Sequence, residues 1–128
     1  MKSFAKPGFT LVELLIVVVI IGILAMIAIP TFQDTKGKAM KSAMMSDLRN
    51  LSTAEEGYLF DHDTYTPVLA DLDYNASPGT IVTVGLATAS GWSASATNLQ
   101  SFPLTCALFH GSVAALPPAT VEGVIDCK

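Results

Sequence analysis

Gly8-Phe9-Thr10-Leu11-Val12-Glu13 opens the stretch that decides the fold, and Leu14 to Ile29 completes it with sixteen residues carrying neither a charge nor a strong polar group. Phe9 to Ile29 is 21 residues, about 31 Å as a helix at ~1.5 Å per residue. That length crosses a hydrocarbon core of roughly 30 Å. Glu13 is the one charge in the span. A carboxylate in lipid must be neutralised, by protonation or by an opposite charge, so it reads as functional. The plainer reading is a carboxylate snorkelling to the interface without a role. Ahead of the span, Met1 to Gly8 is short, basic through Lys2 and Lys6, and free of acid.

The rest of the chain sets limits. At 128 residues there is room for one modest globular unit. Charged residues make up 14%, against ~25% in an ordinary soluble domain, and the shortage lies in the apolar span. The formal net charge is −4, and it becomes −6 if Lys2 and Lys6 are removed with the leader. Nucleic acid is an unfavourable partner for such a chain. The remaining cations gather at Lys36, Lys38, Lys41 and Arg49, where they suit carboxylates or lipid headgroups. Lysines flank the span on both sides, so the positive-inside rule leaves orientation open. The cysteines break the tie. Cys106 and Cys127 are the only two, and such a pair suggests a disulfide made outside the cytoplasm. Two free buried thiols are the alternative. An ordinary signal peptide would discard its apolar region at a small-residue site; here bulky Ile29-Pro30-Thr31 follows instead.

Periodicity carries the helix beyond the membrane. Met40, Met44, Leu48, Leu51, Ala54 and Tyr58 recur at steps of three and four, predicting one apolar stripe with Lys41, Asp47, Arg49, Glu55 and Glu56 largely off it. Pro30 predicts a kink and Gly22 a weak point. Asp61 to Pro67 ends the helix, and Asn75-Ala76-Ser77-Pro78-Gly79 signals a turn. Strands are expected at Thr80 to Leu86, Trp92 to Thr97, Leu104 to Phe109 and Thr120 to Asp126. The fold class is therefore α+β: a long N-terminal helix, apolar in its first half, packed against an antiparallel sheet of about four strands, with a C-terminal disulfide-bounded loop.

The basic run ending in Gly8, the following Phe9-Thr10-Leu11-Val12-Glu13-Leu14-Leu15-Ile16, and then Gly22 and Pro30 resemble the type IV pilin family and its relatives, the type II secretion pseudopilins. The match is near complete over residues 6 to 30. It is looser to about Pro67, where Ser46-Asp47-Leu48-Arg49-Asn50-Leu51 also fits, and beyond that rests on layout and the cysteine pair. The resemblance implies cleavage by a prepilin peptidase between Gly8 and Phe9, with methylation of the new amino terminus on Phe9. It implies that Phe9 and Glu13 pair between subunits during assembly, and that the helix loosens from Gly22 to Pro30 inside the filament. The implied layout is a cleaved leader at 1–8, a transmembrane and filament-core helix at 9–31, and the second half of the helix with a globular head at 32–128.

The function so implied is structural. The chain would be a type IV pilus subunit, polymerised into a helical surface filament for adhesion, twitching motility or DNA uptake. Its partners would be further copies of itself, the peptidase, an assembly platform with minor pilins, and the inner membrane before assembly. The precursor would cross the inner membrane once, with its head outside the cytoplasm, and the assembled subunit would be extracellular. The alternatives are a secretion pseudopilin and a monomeric anchored binding module. No catalytic constellation or cofactor motif stands out: His62 and His110 are far apart, and no nucleophile elbow or phosphate loop occurs. Asp61, His62 and Asp63, with Asp71 and Asp73 nearby, offer oxygen ligands but lack EF-hand spacing, so no metal site is assigned.

Overall fold

A computed structural model describes residues 8–101 and 104–128. The basic leader, apart from Gly8, lies outside the described residues. The chain divides into two compact units, Met1–Thr35 and Lys36–Lys128. One helix, α1 (Leu11–His62), supplies residues to both.

In the first unit α1 is apolar, and no described residue buries its most apolar window. Leu14, Ile16, Val18, Ile20, Ile23 and Ile27 are each more than half exposed. Helical assignment runs unbroken through Gly22 and Pro30. Pro30 offers no N–H to the carbonyl one turn back. Beside it, the Thr31 hydroxyl donates to the Ile27 carbonyl at 3.0 Å and the Thr35 hydroxyl to the Thr31 carbonyl at 2.9 Å. These bonds satisfy hydroxyl groups that would otherwise be placed near lipid.

The second unit has its own core. After α1 come a single 3₁₀ turn, Leu69–Asp71, and the strands β1 (Thr80–Thr88), β2 (Gly91–Asn98), β3 (Thr105–Gly111) and β4 (Asp126–Cys127). They pair antiparallel in the order β1-β2-β3-β4. Period-two alternation sends Trp92, Ala94 and Ala96 of β2, with Cys106 and Leu108 of β3, toward Met44, Leu48 and Leu51 of α1. The alanines are small enough to let the helix lie close. Each buried Leu contributes roughly 1.5–3 kcal/mol from apolar transfer. Gly91 faces Gly111 where β2 begins and β3 ends. A Cβ on either would collide with the other strand's backbone, and Gly111 also has φ +76°. On the edge strand β1 the register slips between Val84 and Leu86, a bulge of the kind that blunts an exposed edge.

Two expectations need correction. Asp47 and Glu55, placed off the apolar stripe by residue type, are 1% and 0% exposed. Both are turned to use. The Asp47 carboxylate accepts from the Ser77 N–H at 3.1 Å and the Ser77 hydroxyl at 2.9 Å, and Glu55 Oε2 accepts from the Thr66 N–H at 3.1 Å. They tether the connection between α1 and β1. The fourth strand is only Asp126–Cys127, not Thr120 to Asp126. The chain turns instead at Gly123, whose φ is +72°, with the Val124 N–H donating to the Val121 carbonyl. The disulfide-bounded loop also contributes to packing. Its Phe109 and Ala119 are buried with Ala107 on the sheet face away from α1, beside Val113 and Leu116.

Candidate functional site: the helix start and the disulfide-bounded loop

Thr10 and Glu13 close on each other at the start of α1. The Thr10 N–H and hydroxyl both donate to Glu13 Oε2 at 2.8 Å, and the Glu13 N–H donates to Thr10 Oγ1 at 3.2 Å. This is a capping box, which satisfies backbone N–H groups that a helix start leaves unpaired. A carboxylate in the first turn also faces the positive end of the helix dipole. Sequence reasoning took Glu13 as a charge in search of a partner and overlooked Thr10. The signal was present, since Thr-x-x-Glu before an apolar run is the sequence form of this cap. Gly8 and Phe9 precede the box and are exposed, Phe9 to 77%. At Gly22 an added Cβ would meet nothing within 4 Å, so neither packing nor a left-handed turn within this chain requires a glycine there.

In the second unit, Cys106 and Cys127 are bonded, linking β3 to β4 at paired register positions with Cα atoms 4.0 Å apart. Two backbone hydrogen bonds between Thr105 and Lys128 extend that pairing. The bridge closes a loop of 22 residues by sequence, worth on the order of 3 kcal/mol on the chain-entropy account.

The acidic residues near the end of α1 do not form a metal-binding group. His62 stacks on Tyr58 with ring centroids 4.0 Å apart. Among the described residues, no three His, Cys, Asp or Glu side chains are placed to hold an ion. Burial and the hydrogen bond to Glu56 push the Tyr65 hydroxyl up to about 12. Burial raises the Glu55 carboxyl above the ordinary carboxylate value, against the lowering effect of the Thr66 N–H.

These features define a class: an α+β head carrying an apolar helix long enough to cross a bilayer. None of the helix's most apolar window is buried, so it must find lipid or another apolar surface. Comparison with known proteins narrows the class. Residues 5–29 match the family described as the prokaryotic N-terminal methylation motif. The type IV major fimbrial protein FimA of Dichelobacter nodosus is 52% identical over 61 residues, 48% of this chain and 38% of that protein. The type IV major alpha-pilin of Moraxella bovis is 45% identical over 67 residues, 52% of this chain and 41% of that protein. Fimbrial protein Q of Moraxella bovis is 40% identical over 97 residues, 76% of this chain and 57% of that protein. The chain thus spans between about two fifths and three fifths of the length of these relatives. Its methylation motif and these similarities are those of the type IV pilin family.

Proposed function

We propose that this chain is the structural subunit of a type IV pilus. The observation that carries the reading is the unburied apolar helix opening directly on the methylation motif. A prepilin peptidase cuts between Gly8 and Phe9 and methylates Phe9. Helix 9–31 then holds the precursor in the inner membrane, with residues 32–128 outside the cytoplasm, until the helices leave lipid and bundle at the centre of a filament. The names of the relatives, fimbrial protein and major pilin, favour this over a secretion pseudopilus.

The capping box suggests how assembly is registered. Cleavage puts a cation on Phe9, since an α-amine has a pKa of roughly 8. That cation sits at the positive end of a helix, where it is unfavourable. Glu13 spends Oε2 on Thr10, whereas Oε1 accepts no bond among the described residues. A neighbouring subunit's Phe9 ammonium can therefore pair with Oε1 without breaking the cap. A misplaced subunit leaves a charge in hydrocarbon, which penalises wrong registers. Contacts of this heterologous kind do not close, and they generate a helical filament. Gly22 and Pro30 are the points at which the helix loosens as it packs among its neighbours. No step in this reading calls for catalysis by the chain. Other pilus machinery, including an assembly platform and minor pilins, supplies the work of extrusion.

The test is electron microscopy of the sheared surface fraction with intact mass of its main band. Filaments whose subunit begins at methylated Phe9 are expected. Assembled material retaining Met1 to Gly8 would reject the processing step, and absence of this chain from surface fibres would reject the pilus.

A further inference from the structure

His110 lies at the end of β3, on the α1 side by alternation from Cys106 and Leu108. Its two ring nitrogens face two carboxylates on different segments. Nε2 is 3.8 Å from Glu56 Oε1 on α1, and Nδ1 is 3.5 Å from Glu122 Oε1 in the disulfide-bounded loop. Both carboxylates are held by other groups: the Tyr65 hydroxyl donates to Glu56 Oε1 at 3.0 Å, and the Gly111 N–H donates to Glu122 Oε1 at 2.7 Å. These two contacts are the only carboxylate–cation pairs within 4.0 Å among the described residues.

We propose that His110 is a proton-operated latch, whose imidazolium ties Glu56 of α1 to Glu122 of the disulfide-bounded loop and whose neutral form lets that part of the loop loosen. An imidazolium donates from both nitrogens and attracts both carboxylates. A neutral imidazole donates from only one, leaving a lone pair turned toward the other carboxylate. Imidazole is the side chain suited to change charge between about pH 5 and 8. The titratable groups facing it are Glu56 from α1, Glu122 from the loop and, behind Glu56, Tyr65 from the segment after the helix. Buried Glu55 lies in the same turn of α1 but points to Thr66. The three side chains of the latch are about half exposed, so each contact is weak. Loosening is therefore local. Ala119 stays packed with Ala107 and Phe109, and the disulfide still closes the loop. The inference holds whether or not the chain polymerises.

The test is amide hydrogen exchange, followed by NMR on the full chain in detergent micelles at pH 5.5 and 7.5, with rates corrected for intrinsic exchange. Protection of Gly111 and Gly123, whose N–H groups bond to Glu122 and to the Phe109 carbonyl, is expected to be roughly fivefold higher at pH 5.5, the scale of a partly exposed ion pair. Protection of Leu108 in the core should not change. His110→Gln should remove the pH dependence. Glu56→Gln, a change at a half-exposed side chain that leaves the loop's own bonds intact, should reduce it, and serves as the second arm if His110→Gln disturbs the core amides. Equal protection at both pH values in the native chain, or undiminished pH dependence in His110→Gln or Glu56→Gln, would overturn the proposal.

Discussion

Glu13 and Glu55 are both carboxylates in apolar settings, and each is handled by one or two donors from a neighbouring residue. Glu13 takes the N–H and hydroxyl of Thr10. Glu55 takes the Thr66 N–H on Oε2, while Oε1 has no partner. The second arrangement is incomplete, and burial raises the Glu55 carboxyl accordingly. The linkage follows from that direction. A carboxyl raised on folding contributes stability below its unfolded value, and the contribution is lost as pH rises through the folded value. Glu55→Gln keeps an acceptor for Thr66 and removes the buried charge. It should raise the melting temperature of the full chain in micelles at pH 7.5 and give little gain at pH 4. Equal shifts at the two pH values, by circular dichroism, would contradict this. The position was legible: Glu55 follows Leu51 by four and Leu48 by seven, within the buried stripe. Residue type misled where period did not, because a glutamate is rarely fully buried.

At the scale of elements, periodicity served well where one face alone is buried. Three of the strands fall close to where alternation and turn residues place them, and α1 ends at His62, just before Asp63 with φ +57°. It served poorly where both faces are covered. Strand β3 buries Leu108 against α1 and Phe109 beneath the loop. The covering segment, Ser112 to Thr120, is irregular and carries its apolar residues without a period, so its inward packing left no signature. The helix-to-sheet contact is the stabilising element. Leu48→Ala, at a fully buried site, should cost roughly 2–5 kcal/mol. Chemical denaturation would show this as a lower midpoint with unchanged slope. A loss under 1 kcal/mol would mean that the helix is not held by this core.

The whole molecule assigns two tasks to one helix. Among the described residues, 36–128 have a core and a disulfide of their own, while those of the preceding unit have neither. A fragment from Phe32 onward should therefore be a soluble monomer without titratable thiols, and reduction should lower its stability by on the order of 3 kcal/mol. Persistent aggregation, or two free thiols in the native fragment, would refute that division. The apolar half was the most legible part of the sequence, because length and composition alone define it. Its partner was legible only through resemblance, since an exposed apolar surface does not say what covers it.

In the proposed mechanism this surface serves both lipid and filament, with Glu13 acting in the second. Glu13→Val makes the span uniformly apolar, so membrane insertion should not suffer. Assembly should, because each Phe9 ammonium loses its partner in a low-dielectric bundle, at roughly 3–5 kcal/mol per broken pair. The decisive measurement is filament yield by electron microscopy from Glu13→Val as the sole copy, taken beside membrane-fraction abundance. Normal abundance with no filaments is the predicted result. Normal filaments would contradict the mechanism and return the chain to a plain anchored head.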